Sequence, residues 1–339
     1  MDDSCVNRRE GEKRWRIIDK QNFRLREDHP LGLVLVGSVA RGECEASSDI
    51  DLIVVSDDGR KYPDDWIEGI PVTFASKSMP DIREADDILK SELLKGIVLY
   101  DPQGLIDQTI QGWRKELALQ KRSESDLKLD WCHRISEECY AQSLATSDPY
   151  SKITFLRESC YYILCHFLLR NSKVWKPRAK DLSRYQDNSG VDIEEIMSFI
   201  PFIAKATTIQ DLFEAFEGQL LGFLERNRSR ISSGGLEFAR NCASVHKSRL
   251  PRFYMNNGDW FSGIFGYRNY LNRIYAYPIA EAHSTEPTDL TTLMGLTDPP
   301  AFRDLCRAVN CFEEREQAQL LRISERYNLL RRRLRQSLH

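Results

Sequence analysis

Two short apolar runs separated by a polar stretch constrain the fold of this chain more than any other feature. The first run, residues 31–36, ends in Gly37-Ser38, and after ten intervening residues Asp49 and Asp51 open the second run, which continues through residues 52–55. Apolar runs this short, bounded by glycine and polar residues, are strands rather than helices. Side chains alternate along a strand, so Asp49 and Asp51 face the same side about 6–7 Å apart. Two carboxylates at that spacing suit Mg²⁺, which takes carboxylate and phosphate oxygens. Gly37 permits a tight turn that brings its amide close to a ligand, and Ser38 adds a hydroxyl donor. The pattern is a cation clamp beside a phosphate cradle.

These residues resemble a known signature. Gly37-Ser38, Ala40-Arg41-Gly42-Glu43 and Ser48-Asp49-Ile50-Asp51-Leu52 are similar to the Gly-Ser, loop, Asp-x-Asp motif of the DNA polymerase beta nucleotidyltransferase superfamily. The form is most like its minimal and antibiotic nucleotidyltransferases, and the resemblance covers about residues 25–110. It implies an α+β nucleotidyltransferase palm, a small mixed sheet with helices, followed here by a mostly α-helical domain. The implied reaction is Mg²⁺-dependent transfer of a nucleoside monophosphate, AMP from ATP, onto a hydroxyl of a small molecule, with pyrophosphate leaving. Under the resemblance Asp49 and Asp51 are catalytic and hold Mg²⁺, and Gly37 and Ser38 grip the nucleotide phosphates. Arg41 either pairs with a phosphate or is a surface arginine.

The superfamily usually carries a third carboxylate on the next strand. Residues 69–75, Gly-Ile-Pro-Val-Thr-Phe-Ala, have none, and Thr73 or Pro71 takes its place. Two outcomes follow: a two-carboxylate site served by a base from the helical domain, or a degenerate module that binds nucleotides without transferring them. Glu158 is the candidate base, against the alternative of a helix-surface carboxylate paired with Arg157 or Lys152. Residues 175–180, Trp-Lys-Pro-Arg-Ala-Lys, resemble a Pro-x-x-Lys segment of related two-domain enzymes. Lys180 or Arg178 is therefore a nucleotide-binding candidate, against a basic loop in water. A protein hydroxyl, as in antitoxin-type protein-AMPylating relatives, is the other acceptor class. A nucleic-acid acceptor is disfavoured by the net charge of −3.

The remaining composition is that of an ordinary globular protein. No apolar run approaches the roughly 18 residues of a membrane span, and the first residues lack the apolar core of a signal peptide. Nine cysteines, odd in number and without a Cys-x-x-Cys pair, fit thiols in a reducing, cytoplasmic compartment. Six histidines show no metal-ligand spacing. Periodicity predicts an amphipathic helix over 10–27 and strands over 31–37, 50–55, 69–75 and 96–100. The third of these is edge-like because of Pro71, and a helix is predicted over 81–95. Helices are predicted over 106–121, 127–144, 150–170, 193–204, 209–227 and 301–337, the last interrupted near Asn310. The domain division is then a helical extension at 1–24, the palm at 25–110, a helical bundle at 111–230, and a mainly helical region at 236–339. Two smaller features remain. The aromatic residues of 254–270 form either an acceptor pocket or a packed cluster, and the basic run Arg331-Arg332-Arg333-Leu334-Arg335 either touches nucleic acid or favours a helix C-terminus.

Overall fold

The computed structural model describes residues 3–58, 60, 62, 64–172, 206–233, 236, 249–257, 263, 266–267, 271, 275–285, 290–296, 299, 301–310 and 317–336. The chain divides into two compact units, Met1–Trp131 and Cys132–His339.

The first unit is built on one mixed sheet. Its elements run α1 (Asp3–Arg26), β1 (Gly32–Val36), α2 (Gly37–Ala40), β2 (Ile50–Val55), β3 (Asp65–Ile67) and β4 (Ile70–Lys77). α3 (Met79–Arg83), α4 (Asp87–Leu94), β5 (Ile97–Tyr100) and α5 (Leu105–Leu119) follow, and then the start of α6 (Glu124–Ala145). The strand order is β3-β4-β2-β1-β5. β1 pairs antiparallel with β2 and with β5, whereas β2 and β4 run parallel.

Strand alternation divides the core in two. Leu33, Leu35, Ile50, Leu52, Val54, Ile70, Val72 and Phe74 pack with Ile17, Ile18 and Leu25 of α1 on one face of the sheet. Val34, Val36, Ile53 and Val55 pack on the other face against α3, α4, α5 and Leu127 of α6. Each fully buried Leu, Ile or Val contributes about 1.5–3 kcal/mol. Asp51 belongs to the second face, since it alternates with the buried Ile50 and Leu52.

Two expectations need correction. β4 is not an edge strand, because the three-residue β3 pairs along it and sets Trp66 opposite Pro71. So short a strand carries no alternation that a sequence pattern can reveal. The helix expected over 81–95 is two helices. Ser78 and Asp81 form a capping box with Pro80 in the first turn of α3, and Asp86 caps α4 by accepting from the Leu89 amide. These caps restart the helix and leave Asp81 committed to the backbone.

The described part of the second unit is helical. α6 continues into it, followed by α7 (Pro149–Ser172), α8 (Ala206–Arg226), α9 (Arg249–Asn256), α10 (Ala276–His283), α11 (Leu290–Gly295), α12 (Ala301–Asn310) and α13 (Gln317–Gln336). One core joins Leu156, Ile163 and Leu164 of α7 to Phe213, Phe216, Leu220 and Phe223 of α8, to Phe302 and Leu305 of α12 and to Tyr327 of α13. Tyr267 lies in this core 4.5 Å from the Phe213 ring, a packed aromatic rather than a pocket wall. Arg331 of the basic run is buried. It donates to Ser159 Oγ at 2.9 Å and Glu137 Oε1 at 2.7 Å, and lies 3.7 Å from the Tyr140 ring centroid. Arg157 donates through Nε to the Tyr327 hydroxyl at 3.0 Å. The predicted helix over 193–204 lies outside the described residues. No described helix is long and apolar enough to cross a membrane.

One buried charge on α1 positions the loop that precedes β2. Arg14, with 0% of its side chain exposed, donates to the Ser48 carbonyl at 2.9 and 2.6 Å and to the Ala46 carbonyl at 3.0 Å. Its other end pairs with Glu10 at 2.6 Å. Arg14→Met removes these donors and strands the carbonyls, so urea denaturation should show a loss of about 2–4 kcal/mol.

Candidate active site

The site begins where β1 ends. Val36 pairs with Asp51 across the antiparallel ladder, so the chain turns at Gly37 directly beside that carboxylate. Gly37 sits at φ +77°, and a Cβ there would lie 2.4 Å from Asp51 Oδ2. Both the dihedral and the close approach demand glycine. Ser38 follows in the single turn of α2, and its carbonyl accepts from the Glu43 amide at 2.9 Å, which folds the loop back on itself.

Asp49 stands one residue ahead of β2, half-buried like Asp51, while Ile50 between them is buried. This alternation agrees with the sequence expectation. On its other side Asp51 is in register with Thr73 of the parallel strand β4. The place where a third acid is expected is thus occupied by a hydroxyl side chain. Glu68 lies in an exposed turn near Lys20, 3.3 Å away.

A carboxylate that sequence reasoning missed joins the site from α4. Glu92 Oε2 accepts from the Gly37 amide at 3.4 Å and from Arg41 Nη1 at 3.2 Å, while Oε1 accepts from Lys128 Nζ at 2.6 Å. Arg41 also donates through Nε to Glu43 at 2.8 Å. Its side chain is 17% exposed and its guanidinium is paired with Glu92 and Glu43, so it is not a free surface arginine. Burial pushes the Glu92 carboxyl up, but Lys128, Arg41 and the Gly37 amide outweigh it and its pKa lies below the ordinary glutamate value. Burial pushes the Lys128 ammonium down, and Glu92 reverses only part of that shift.

Lys128 was legible in principle. It lies four and eight residues before the buried Cys132 and Ser136 on α6, a lysine in a buried stripe. Such a lysine demands an anion. Glu92 gave no comparable signal, because an acid on an amphipathic helix ordinarily faces water.

The donor set of Asp49 and Asp51 is all oxygen and suits a hard cation such as Mg²⁺. Among the described residues no group of three or more His, Cys, Asp or Glu side chains is placed to hold a metal.

Glu158 is in the second unit. It is buried on α7, where the Cys139 thiol of α6 donates to Oε2 at 3.7 Å. It is not the solvated helix-surface acid of the alternative reading. Arg178 and Lys180 lie outside the described residues.

The small mixed sheet with helices, its Gly-Ser turn abutting the Asp-x-Asp at the start of β2, is consistent with a nucleotidyltransferase fold. Residues 18–138 match the family model described as "Nucleotidyltransferase domain". The N-terminal part of this 339-residue chain is therefore a nucleotidyltransferase domain. No curated protein matches the chain.

Two outcomes test the geometry. Gly37→Ala forces a β-carbon into a left-handed turn and against Asp51. It should lower stability by about 1–3 kcal/mol, read by urea denaturation. The stabilisation from the Glu92 ion pairs should depend on acid. The folded pKa of Glu92 is depressed, so its contribution is complete above the unfolded value of about 4.3 and lost as pH falls through the lower folded value. The stability gap between wild type and Glu92→Gln should therefore shrink below about pH 4.

Proposed function

We propose that this chain transfers a nucleoside monophosphate, AMP from ATP, onto a hydroxyl of a small molecule and releases pyrophosphate. The observation that carries this reading is the contact between the Gly37 turn and Asp51. It sets the turn proposed to bind phosphate against the carboxylate proposed to bind the cation, with no intervening side chain.

In the proposed reaction the acceptor oxygen forms a bond to the α-phosphorus while the bond to the β-bridging oxygen breaks. Asp49 and Asp51 would hold Mg²⁺, which supplies charge neutralisation at the phosphate oxygens. The Gly37 amide, the Ser38 hydroxyl and Arg41 would bind the β and γ phosphates and so orient the leaving pyrophosphate. Arg41, as a planar fork, suits a phosphate edge. Glu158 is the proposed base for the acceptor proton, with Lys180 a further phosphate contact. The net charge of −3 favours a small molecule over nucleic acid, and Arg331 of the C-terminal arginine run is turned inward, whereas Arg332, Arg333 and Arg335 are exposed.

One observation favours a second reading. The register that sets Thr73 beside Asp51 leaves the strand without its usual acid, as expected of a module that binds nucleotide and does not transfer it.

The test incubates the purified protein with Mg²⁺, α-labelled ATP and a whole-cell extract, then follows label into small-molecule, protein and nucleic-acid fractions. Small-molecule label that falls at least about 100-fold in Asp49→Asn/Asp51→Asn supports the proposal. Label in protein reassigns the acceptor. ATP binding without label in any fraction, repeated with the other three nucleotides, favours the binding module. Glu158→Gln should slow transfer and leave ATP affinity unchanged; loss of both would remove Glu158 from the chemistry.

A further inference from the structure

Three donors from three elements converge on one carboxylate. The Gly37 amide comes from the start of α2, Arg41 from the loop after it and Lys128 from α6, and all three meet Glu92 of α4. Two of them, Gly37 and Arg41, are the groups that the proposed reaction needs for the nucleotide phosphates.

We propose that Glu92 is an internal anion that occupies the phosphate-binding donors, and that a triphosphate binds by displacing it from Gly37 and Arg41. The inference rests on the nucleotide reading of the Gly37–Asp51 site and names how access to that site is governed.

The bond lengths divide the contacts by strength. The Lys128 bond is short, at 2.6 Å, and the lysine side chain is only 2% exposed. The bonds from Gly37 and Arg41 are 3.4 and 3.2 Å, at the weak end for N–H···O contacts. Glu92 is thus anchored at Oε1 and loosely held at Oε2. Leu93 and Leu94 are buried beside it on α4, so the helix stays and only the side chain needs to turn. Lys128 keeps a buried anion close by in either state. Arg41 has Glu43 as a second partner at 2.8 Å, so its guanidinium stays oriented when Oε2 leaves.

A carboxylate presents two oxygens and a negative charge, as does one edge of a phosphate. The two anions compete for the same donors and repel each other at short range. A simple brace would have the opposite signature. If Glu92 only held the turn in shape, its loss would weaken nucleotide binding. If it occupies the donors, its loss strengthens binding.

The experiment measures binding of ATP, inorganic tripolyphosphate and adenosine to the full chain, at fixed Mg²⁺ and salt, for wild type and Glu92→Gln. The amide oxygen of the glutamine still accepts from Lys128, and a thermal melt checks that the variant folds. Glu92→Asp, which keeps the charge but falls short of Gly37 and Arg41, replaces it if it does not. We expect ATP and tripolyphosphate to bind about tenfold tighter and adenosine to be unaffected. If wild type binds ATP and the folded variant binds it no better, or if adenosine tightens equally, the inference falls and the nucleotide site stands. If neither protein binds ATP or tripolyphosphate, the nucleotide reading falls and the inference with it.

Discussion

β1 and β2 are antiparallel, so the register that sets Val36 opposite Asp51 also decides how near the Gly37 turn comes to the carboxylate pair. A slip of one residue would bring Ile50 and Leu52 to the face where Asp51 now lies and carry Asp51 into the core against α1. The apolar residues on both faces of β2 prevent that slip. Packing thus fixes the register of β2, while Arg14 holds the loop that leads into Asp49. The parallel neighbour β4 adds Thr73 at the same level, so one register across three strands defines both the groups the site has and the one it lacks.

Around that frame the charges are arranged economically. Asp51 lies against bare backbone at Gly37, and on the other side of the turn Glu92 gathers Lys128 and Arg41. A buried lysine on α6 and a half-buried acid on α4 would each be costly alone. Paired, they also tie the start of α6 to the sheet unit, at the point where the matched nucleotidyltransferase segment nears its end at residue 138. The site therefore depends on helices well downstream of its motif.

Much of this is legible in sequence, for physical reasons that vary by element. β1 and β2 are short apolar runs between punctuating residues, the long helices α5 and α8 carry the periodicity of one buried face, and α7 is buried nearly all round. The Gly-Ser turn and Asp-x-Asp can be read because their residue types are otherwise unfavourable at those positions. β3 has too few residues to alternate, so β4 reads as an edge. Glu92, Lys128 and Arg14 are charged residues within helices rich in charge, and only the tertiary contacts single them out. Arg331 is similar: a run of arginines reads as surface, yet one of them spans from α13 to Ser159 and Glu137.

The grip of Arg14 on the carbonyls of Ala46 and Ser48 bears on where this domain begins. The family match starts at residue 18, beyond both Arg14 and its partner Glu10. A segment excised at that boundary would keep every residue of the motif and yet lose the tether on the loop leading into Asp49. In this chain the loop that leads into Asp49 is held from a helix residue ahead of the matched segment.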